Sequence, residues 1–292
     1  MSGLSRRRFL TISACVALAG SARSQTPPER LVWRGTALGA DVSITLDGPA
    51  ELTRPAMARA RLEIAGFEAR FSLYRADSDL SHLNRAGHLP DLDPRWLSVL
   101  SLSDDLHRAT GGRFDPTIQP LWLAHAQGGD IDAARARVGW DRVRVPSATR
   151  RGIAQGAATD AVRDVLHAAG MRRVLVDIGE LAALGGPWRT GAADPDHGLF
   201  ARVSLNGNAL AVSSPGSLPL GDVTHILDPV GGRAPLWSSV AVVAAHAALA
   251  DGLSTAACLM RRDELEEAIH ALPGVQAVHL LDHGGGVRTI TA

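Results

Sequence analysis

Lysine is missing from this 292-residue chain, so all 30 basic residues are arginine. That removes Schiff-base chemistry and the phosphate-gripping lysine of a P-loop. Cysteine is nearly missing: Cys15 and Cys258 are the only two, too few for a disulfide framework or a redox pair. Neither charge sign is in excess, because 30 acids face the arginines and the formal net charge is +0. No global basic surface is on offer to nucleic acid. No apolar run reaches the roughly 18–20 residues of a membrane span. No serine sits in Gly-x-Ser-x-Gly, and no His-Glu-x-x-His zinc spacing occurs. What remains is 46% hydrophobic and 21% charged, which excludes a disordered chain and supports a sizeable core.

The chain opens Ser5-Arg6-Arg7-Arg8-Phe9-Leu10, followed by a weakly apolar stretch from Thr11 to Gly20 and small residues around Ala22. This is the layout of an export signal over residues 1–24, and Arg-Arg-x-Phe-Leu resembles the twin-arginine type. Cleavage near Ser24 would remove four arginines (6, 7, 8 and 23) and no acid, leaving 26 against 30, a formal charge of −4. The expected compartment is the periplasm.

Alternation at Leu31–Trp33 and Val42–Leu46 predicts an opening hairpin. Helices are expected over Pro55–Tyr74, Arg95–Thr110 (ended by Gly111-Gly112), Gly152–Ala169 (ended by Gly170), Ala247–Met260 and Asp263–Ala271. Strands are expected at Arg173–Ile178, Ser238–Ala244 and Val275–Leu281. Ala201–Leu205 and Ala209–Ser213 are expected to pair across Asn206-Gly207, a hairpin dipeptide. Interleaved helices and hairpins without repeat or linker predict α+β, with mixed or antiparallel sheets flanked by helices in one compact unit spanning 31–292.

Several segments carry candidate chemistry. Asp251 and Thr255 are four apart, so on a helix they share a face with the small residues Ala248 and Gly252. A carboxylate and a hydroxyl aimed together suit Mg²⁺; the plainer alternative is local capping and back-bonding within the helix. Gly152 to Asp160 packs two glycines and three alanines before an acid. Such a run suits either close approach of a phosphate ligand or a tight helix–sheet contact. Asp115, after Gly111-Gly112-Arg113-Phe114, could hold a ligand hydroxyl or an Asx turn before Pro116. His225 reads as a base near neutral pH or a structural imidazole. Tyr74, the only tyrosine, could stack on a flat ligand or cap a core.

Taken together and in order, these segments resemble the ApbE family, the FAD:protein FMN transferases. Leu38-Gly39-Ala40 looks like the family's Met-Gly-Thr, and Tyr74 to Asn84 like its Tyr-Arg-x-x-Ser-x-Leu-Ser-x-Leu-Asn. Gly111 to Asp115 resembles Gly-Gly-x-Phe-Asp, and Gly152 to Asp160 resembles Gly-Ile-Ala-Lys-Gly-Tyr-Ala-x-Asp. Ser213 to Gly216, His225 to Gly232 and Asp251 to Thr255 resemble Ser-Thr-Ser-Gly, His-Ile-Ile-Asp-Pro-x-x-Gly and Asp-Ala-Leu-x-Thr. The resemblance implies an ApbE-like, T-fold-related architecture. It implies a reaction in which FMN passes from FAD to a threonine or serine hydroxyl of an acceptor flavoprotein domain, releasing AMP. Mg²⁺ would be held by Asp251, Thr255 and the carbonyl of Ala154. His225 would stand near the acceptor hydroxyl. Leu38, Tyr74, Arg113, Phe114, Asp115, Ala157, Asp160 and His225 would line the flavin nucleotide site. The acceptor is expected to be a respiratory membrane protein's periplasmic domain, so contact with a membrane would be indirect.

The chain departs from the pattern at particular residues. Arg150-Arg151-Gly152 stands where Asp-Leu-Gly-Gly is usual. Gln155 replaces a lysine, Ala157 an aromatic, Glu180 the second glycine of a Gly-Gly pair, and Pro215 a hydroxyl residue. These changes remove a cation and a stacking surface from the FAD cradle. They bring in two alternatives to the transferase: an FAD pyrophosphatase releasing FMN and AMP, and a non-catalytic FAD-binding accessory protein.

Overall fold

The computed structural model describes residues 29–89, 93–143 and 154–292. The expected export signal and Arg150 to Ile153 lie outside the described residues. In chain order the elements are β1 (Glu29–Ala37), β2 (Ala40–Gly48), α1 (Ala50–Phe71), α2 (Asp79–Ala86), α3 (Pro94–Ala109), α4 (Gln119–Gln127) and α5 (Ile131–Arg135). Then follow α6 (Ala154–Ala168), β3 (Val174–Asp177), β4 (Leu181–Leu184), β5 (Trp188–Asp194), β6 (Gly198–Leu205) and β7 (Ala209–Ser213). The chain closes with β8 (Pro219–Leu220), β9 (Val223–Thr224), β10 (Ser239–Ala244), α7 (Ala247–Ala257), α8 (Arg262–Ala271), β11 (Val275–Leu281) and β12 (Val287–Thr291).

Eight strands form one sheet in the order β1-β2-β3-β4-β7-β10-β11-β12, each pair antiparallel. The architecture is the expected α+β unit, with the antiparallel option realised. The opening hairpin is as expected: Leu31 pairs with Leu46 and Trp33 with Ile44. Strand alternation sends each side chain to one of two cores. On one face, Val42, Ile44, Leu46, Val174 and Val176 pack with Ala60, Ile64 and Phe67 of α1 and Val162 and Leu166 of α6. Further along that face, Val240, Val242 and Ala244 pack with Leu249, Leu253 and Ala256 of α7 and with Leu265 and Ile269 of α8. On the other face, Ala183, Leu210, Ala241 and Val243 are covered by Trp188, Ala192, Val203 and Leu205 from the β5–β6 hairpin. All six residues of β10 are buried, which explains why it reads as an unbroken apolar run.

The pairing of Ala201–Leu205 with Ala209–Ser213 is not found. β6 pairs with β5 in a separate two-stranded sheet, whereas β7 joins the central sheet between β4 and β10. Asn206-Gly207 does turn the chain, with Gly207 at φ +78. That turn carries it from one layer to the next, because β6 is needed to cover the apolar face that β7 exposes. Val275–Leu281 is not the final strand either; β12 hydrogen-bonds to its free edge.

Helix ends follow local chemistry. Asp93 accepts from the amides of Arg95 and Trp96, with Pro94 just inside α3. Ser78 Oγ accepts from Ser81 N at the start of α2, a helix the periodicity did not separate from its surroundings. α1 begins five residues before the expected Pro55, since Pro49 caps it and Thr53, Ala56 and Met57 are buried. Pro55 lies inside α1, in its second turn. No helix among the described residues is long and apolar enough to cross a membrane.

Candidate active site

The site is built where α6 and α7 cross above the ends of β3 and β7. Gly156 lies in the first turn of α6 and Ala248 in the first turn of α7. A Cβ added at Gly156 would stand 2.5 Å from the amide nitrogen of Ala248 and 2.7 Å from the carbonyl carbon of Ala247. Only glycine permits this approach. The small-residue run therefore serves a helix–helix contact at this position, where a helix–sheet contact was one of the two expectations.

The approach brings Asp160 under the start of α7. Its two carboxylate oxygens accept from Ala247 N and Ala248 N at 3.0 Å each, doing the capping that His246 does not do for its own helix. Arg163 Nη1 holds the same carboxylate at 3.0 Å and also donates to Ala245 O. An anion at a helix N-terminus is favourable electrostatically. Asp160 thus acts on the protein's own backbone and positions α7.

One turn further along α7 stands Asp251, half-buried, with Thr255 on the same face. Burial pushes the Asp251 carboxyl up to about 6, against the opposing pull of the Gly156 amide. Thr255 Oγ1 lies 3.3 Å from Ser213 Oγ, which also meets Ser254 Oγ at 2.8 Å. Ser213, from the Ser-Ser-Pro-Gly segment, is therefore beside the metal-type pair. Ala154 opens α6 two residues before Gly156.

The β3–β4 turn closes another side. Gly179 is within 4.0 Å contact of the Gln155 side chain for an added Cβ, and its amide donates to Asp177 Oδ1. Burial raises the Asp177 carboxyl, and burial together with the charges of Asp251 and Asp177 raises that of Glu180 well above the ordinary range. Glu180 Oε2 is buried and has no hydrogen-bond partner among the described residues. In the sequence Glu180 is legible only as a departure from the family pattern, a charged residue in place of a glycine after a buried strand, and it is not among the expected site residues.

A third wall comes from the β1–β2 turn. Leu38 adopts a left-handed φ of +52, uncommon for a residue with a Cβ. It is held there by Glu68 Oε1, which accepts from Leu38 N at 3.0 Å, and by Gln155 Nε2, which donates to Leu38 O at 3.4 Å. Tyr74 is 79% exposed and lies over Gly39, where an added Cβ would come within 2.8 Å of its ring. This combination brings Leu38, Tyr74, Gln155 and, one residue on, Gly156 to one place, with the Tyr74 ring free to meet a flat ligand. Ala157, the residue after Gly156, packs partly buried against the core.

Other expected residues are committed elsewhere. Arg113 Nη1 donates to both oxygens of Asp228 at 2.9 Å. Asp228 also accepts from the amides of Val230, Gly231 and Arg233, and these donors hold its carboxyl below the ordinary range despite burial. Arg113 so ties the Gly111–Asp115 turn to the His225–Gly232 loop. Asp115 accepts from Thr117 N and Oγ1 and from Trp140 N, which is the Asx-turn alternative extended to a neighbouring loop. Phe114 packs against the α7–α8 core. His225 is half-buried at the end of the β8–β9 hairpin, with Nδ1 3.3 Å from Leu218 O. Among the described residues no hydrogen bond links it to Asp251, and no group of three or more His, Cys, Asp and Glu has metal-site spacing.

Several solved structures are similar to the chain. A flavin transferase ApbE from Vibrio cholerae superposes with a TM-score of 0.77 at 22% identity, covering 91% of this chain and 98% of that one. The apo form of a Pseudomonas stutzeri flavinyl transferase ApbE gives 0.70 at 24% identity, with 91% and 96% covered. An ApbE protein of Thermotoga maritima gives 0.75 at 22% identity, with 89% and 96% covered. At these identities the likeness establishes the fold. No curated protein matches the chain. The family model of the ApbE family matches residues 38–279, a span that takes in every motif from Leu38 to Thr255. The chain belongs to the ApbE family.

Proposed function

We propose that this chain is an exported FAD:protein FMN transferase, which moves FMN from FAD to a threonine or serine hydroxyl of an acceptor flavoprotein domain and releases AMP. Family membership supports flavin transfer. The observation that carries the finer reading is the crossing of α6 and α7, which sets Asp251 and Thr255 beside a helix N-terminus and an acid-rich turn. Helix N-termini present free amides to phosphates. Tyr74 over Gly39 offers a ring for an isoalloxazine or adenine to stack on.

The donor set fits a divalent cation. Among the described residues, a buried Glu180 carboxylate oxygen without a hydrogen-bond partner and a raised carboxyl at Asp251 mark an acidic pocket. Asp251, Thr255 and the Ala154 carbonyl would hold Mg²⁺, which supplies charge neutralisation at a diphosphate. The protein's own part is positional. Asp160 fixes the start of α7 and so the height of Asp251. Ser213 Oγ, 3.3 Å from Thr255 Oγ1, orients that hydroxyl. Arg113 anchors the loop that carries His225. His225 would take the acceptor hydroxyl's proton, a role typically worth on the order of 10²–10⁴-fold. The twin-arginine segment supports a periplasmic location, and the acceptor there would belong to a respiratory membrane protein.

One observation favours a second reading. Gln155 directs its side-chain amide to Leu38 O, so the position where the resemblance expects a phosphate-facing cation provides none. An FAD-binding accessory protein would tolerate that loss. The test is chromatography of FAD incubated with the protein and Mg²⁺, with and without an acceptor domain. Acceptor-dependent AMP release supports the transferase. FMN and AMP formed without acceptor identify a pyrophosphatase, and intact FAD retained on the protein identifies the accessory role.

A further inference from the structure

Glu180 stands where the family pattern has a glycine, and its neighbours locate it. Its neighbour Gly179 abuts Gln155 at the start of α6, next to Gly156, whose amide faces Asp251. β4 pairs with β7 at Leu181–Leu210, so the register puts Glu180 one residue beyond that pair, on the side of Ser213. Ser213 in turn touches Thr255. Glu180 therefore lies between α6 and β7, the two elements that adjoin the Asp251–Thr255 pair of α7.

Its oxygen Oε2 is buried and has no hydrogen-bond partner among the described residues. Among the described residues, the charges of Asp251, Asp177 and Asp160 act on it, all three acidic. Asp177 is occupied by the Gly179 amide, and Asp160 by α7 and Arg163. A buried carboxylate left without donor or cation is costly, and natural proteins keep one where a ligand completes it. A hard divalent cation takes carboxylate and hydroxyl oxygens together, and its affinity rises with the number of charged ligands.

We propose that Glu180 is an additional protein ligand of the cation site on Asp251 and Thr255, giving this chain two carboxylates at the metal and cation binding that does not wait for the FAD diphosphate. The proposal rests on the metal assignment above. It requires only two carboxylates and a hydroxyl, consistent with no cluster of three acidic or imidazole ligands among the described residues.

The test is Mn²⁺ titration of the FAD-free full chain, followed by electron paramagnetic resonance of free Mn²⁺, for the wild type, Glu180→Gln, Glu180→Gly and Asp251→Asn. The wild type should bind one Mn²⁺ without FAD. Each Glu180 variant should bind it on the order of tenfold more weakly. Added FAD should recover much of that loss. Glu180→Gly restores the family's residue, so it should melt no lower than wild type and show that weakened binding is not misfolding. Unchanged affinity in both Glu180 variants, with binding lost in Asp251→Asn, would overturn the role of Glu180 and leave the proposed function standing. Full Mn²⁺ binding in Asp251→Asn would overturn the metal assignment itself.

Discussion

Gly156→Ala is the substitution for which the structure makes the sharpest quantitative demand. By helix propensity alone the change should stabilise α6 by about 1 kcal/mol, because alanine is the better helix former. The contact with α7 opposes it. The added methyl would sit 2.5 Å from Ala248 N and 2.7 Å from Ala247 C, against an ordinary carbon contact of about 3.5–4.0 Å. Those atoms are backbone and cannot rotate away, so α6 and α7 must separate by about 1 Å. Overpacking of this kind costs roughly 1–3 kcal/mol. The separation also stretches the two 3.0 Å bonds from α7 to Asp160, a cap worth about 1 kcal/mol or more. The net expectation is a loss of about 1–3 kcal/mol, which for a chain of this size lowers Tm by roughly 2–10 °C. Differential scanning calorimetry of the two proteins measures it, and Mn²⁺ affinity should fall in the same variant because Asp251 moves with α7. A Gly156→Ala protein that melts at or above the wild-type temperature with unchanged Mn²⁺ binding would refute the tight crossing on which the site is built.

Three further outcomes follow from other contacts. Asp160→Ala removes a charged cap and should cost about 2 kcal/mol in urea unfolding, with Asp160→Asn losing about half of that; equal stability of all three would mean α7 does not depend on this carboxylate. Arg113→Met leaves the fully buried Asp228 carboxylate without its guanidinium and should cost about 3 kcal/mol, whereas the double change with Asp228→Asn should recover part of the loss. Asp194 accepts from Ser238, Ser239 and the amides of Asp196 and His197, which outweigh burial and hold it at about 2, below the usual carboxylate value of 3.8. Its folded pKa is depressed, so its contribution of about 2 kcal/mol is fully present above pH 4 and is lost as pH falls toward 2. Urea midpoints between pH 2 and 5 should drop more steeply for the wild type than for Asp194→Asn, and parallel curves would count against this network.

The parts of the fold that were legible in the sequence are those whose local pattern and tertiary setting agree. Leu31–Leu46 alternates because one face of the hairpin is covered, and Val275–Leu281 does so as well. Val240 to Ala244 reads as a solid apolar run because both faces of β10 are covered. Asn206-Gly207 misled because its turn chemistry is real, but the partner of β7 was decided by layer packing that no neighbouring residue encodes. β4, β5 and β12 are short or half-polar and announce themselves only through their partners. In the site, Asp251 and Thr255 were visible from their spacing. The Gly156 contact was visible as a small-residue run without its partner. Asp160, Asp115 and Arg113 matched motif positions, yet their side chains bind the protein's own amides and carboxylates. A motif match cannot separate holding a ligand from holding the loop that holds it. Glu180 was visible only as an oddity, since its neighbours come from elements far apart in the chain.

The central claim is flavin transfer at Asp251, and intact mass spectrometry tests it most directly. A candidate acceptor domain is incubated with the protein, FAD and Mg²⁺ beside an Asp251→Ala control. The account predicts a gain equal to one FMN less water on the acceptor, absent in the control and absent without Mg²⁺. An equal gain with Asp251→Ala, or FAD held unchanged on a protein that never modifies any acceptor, would contradict it.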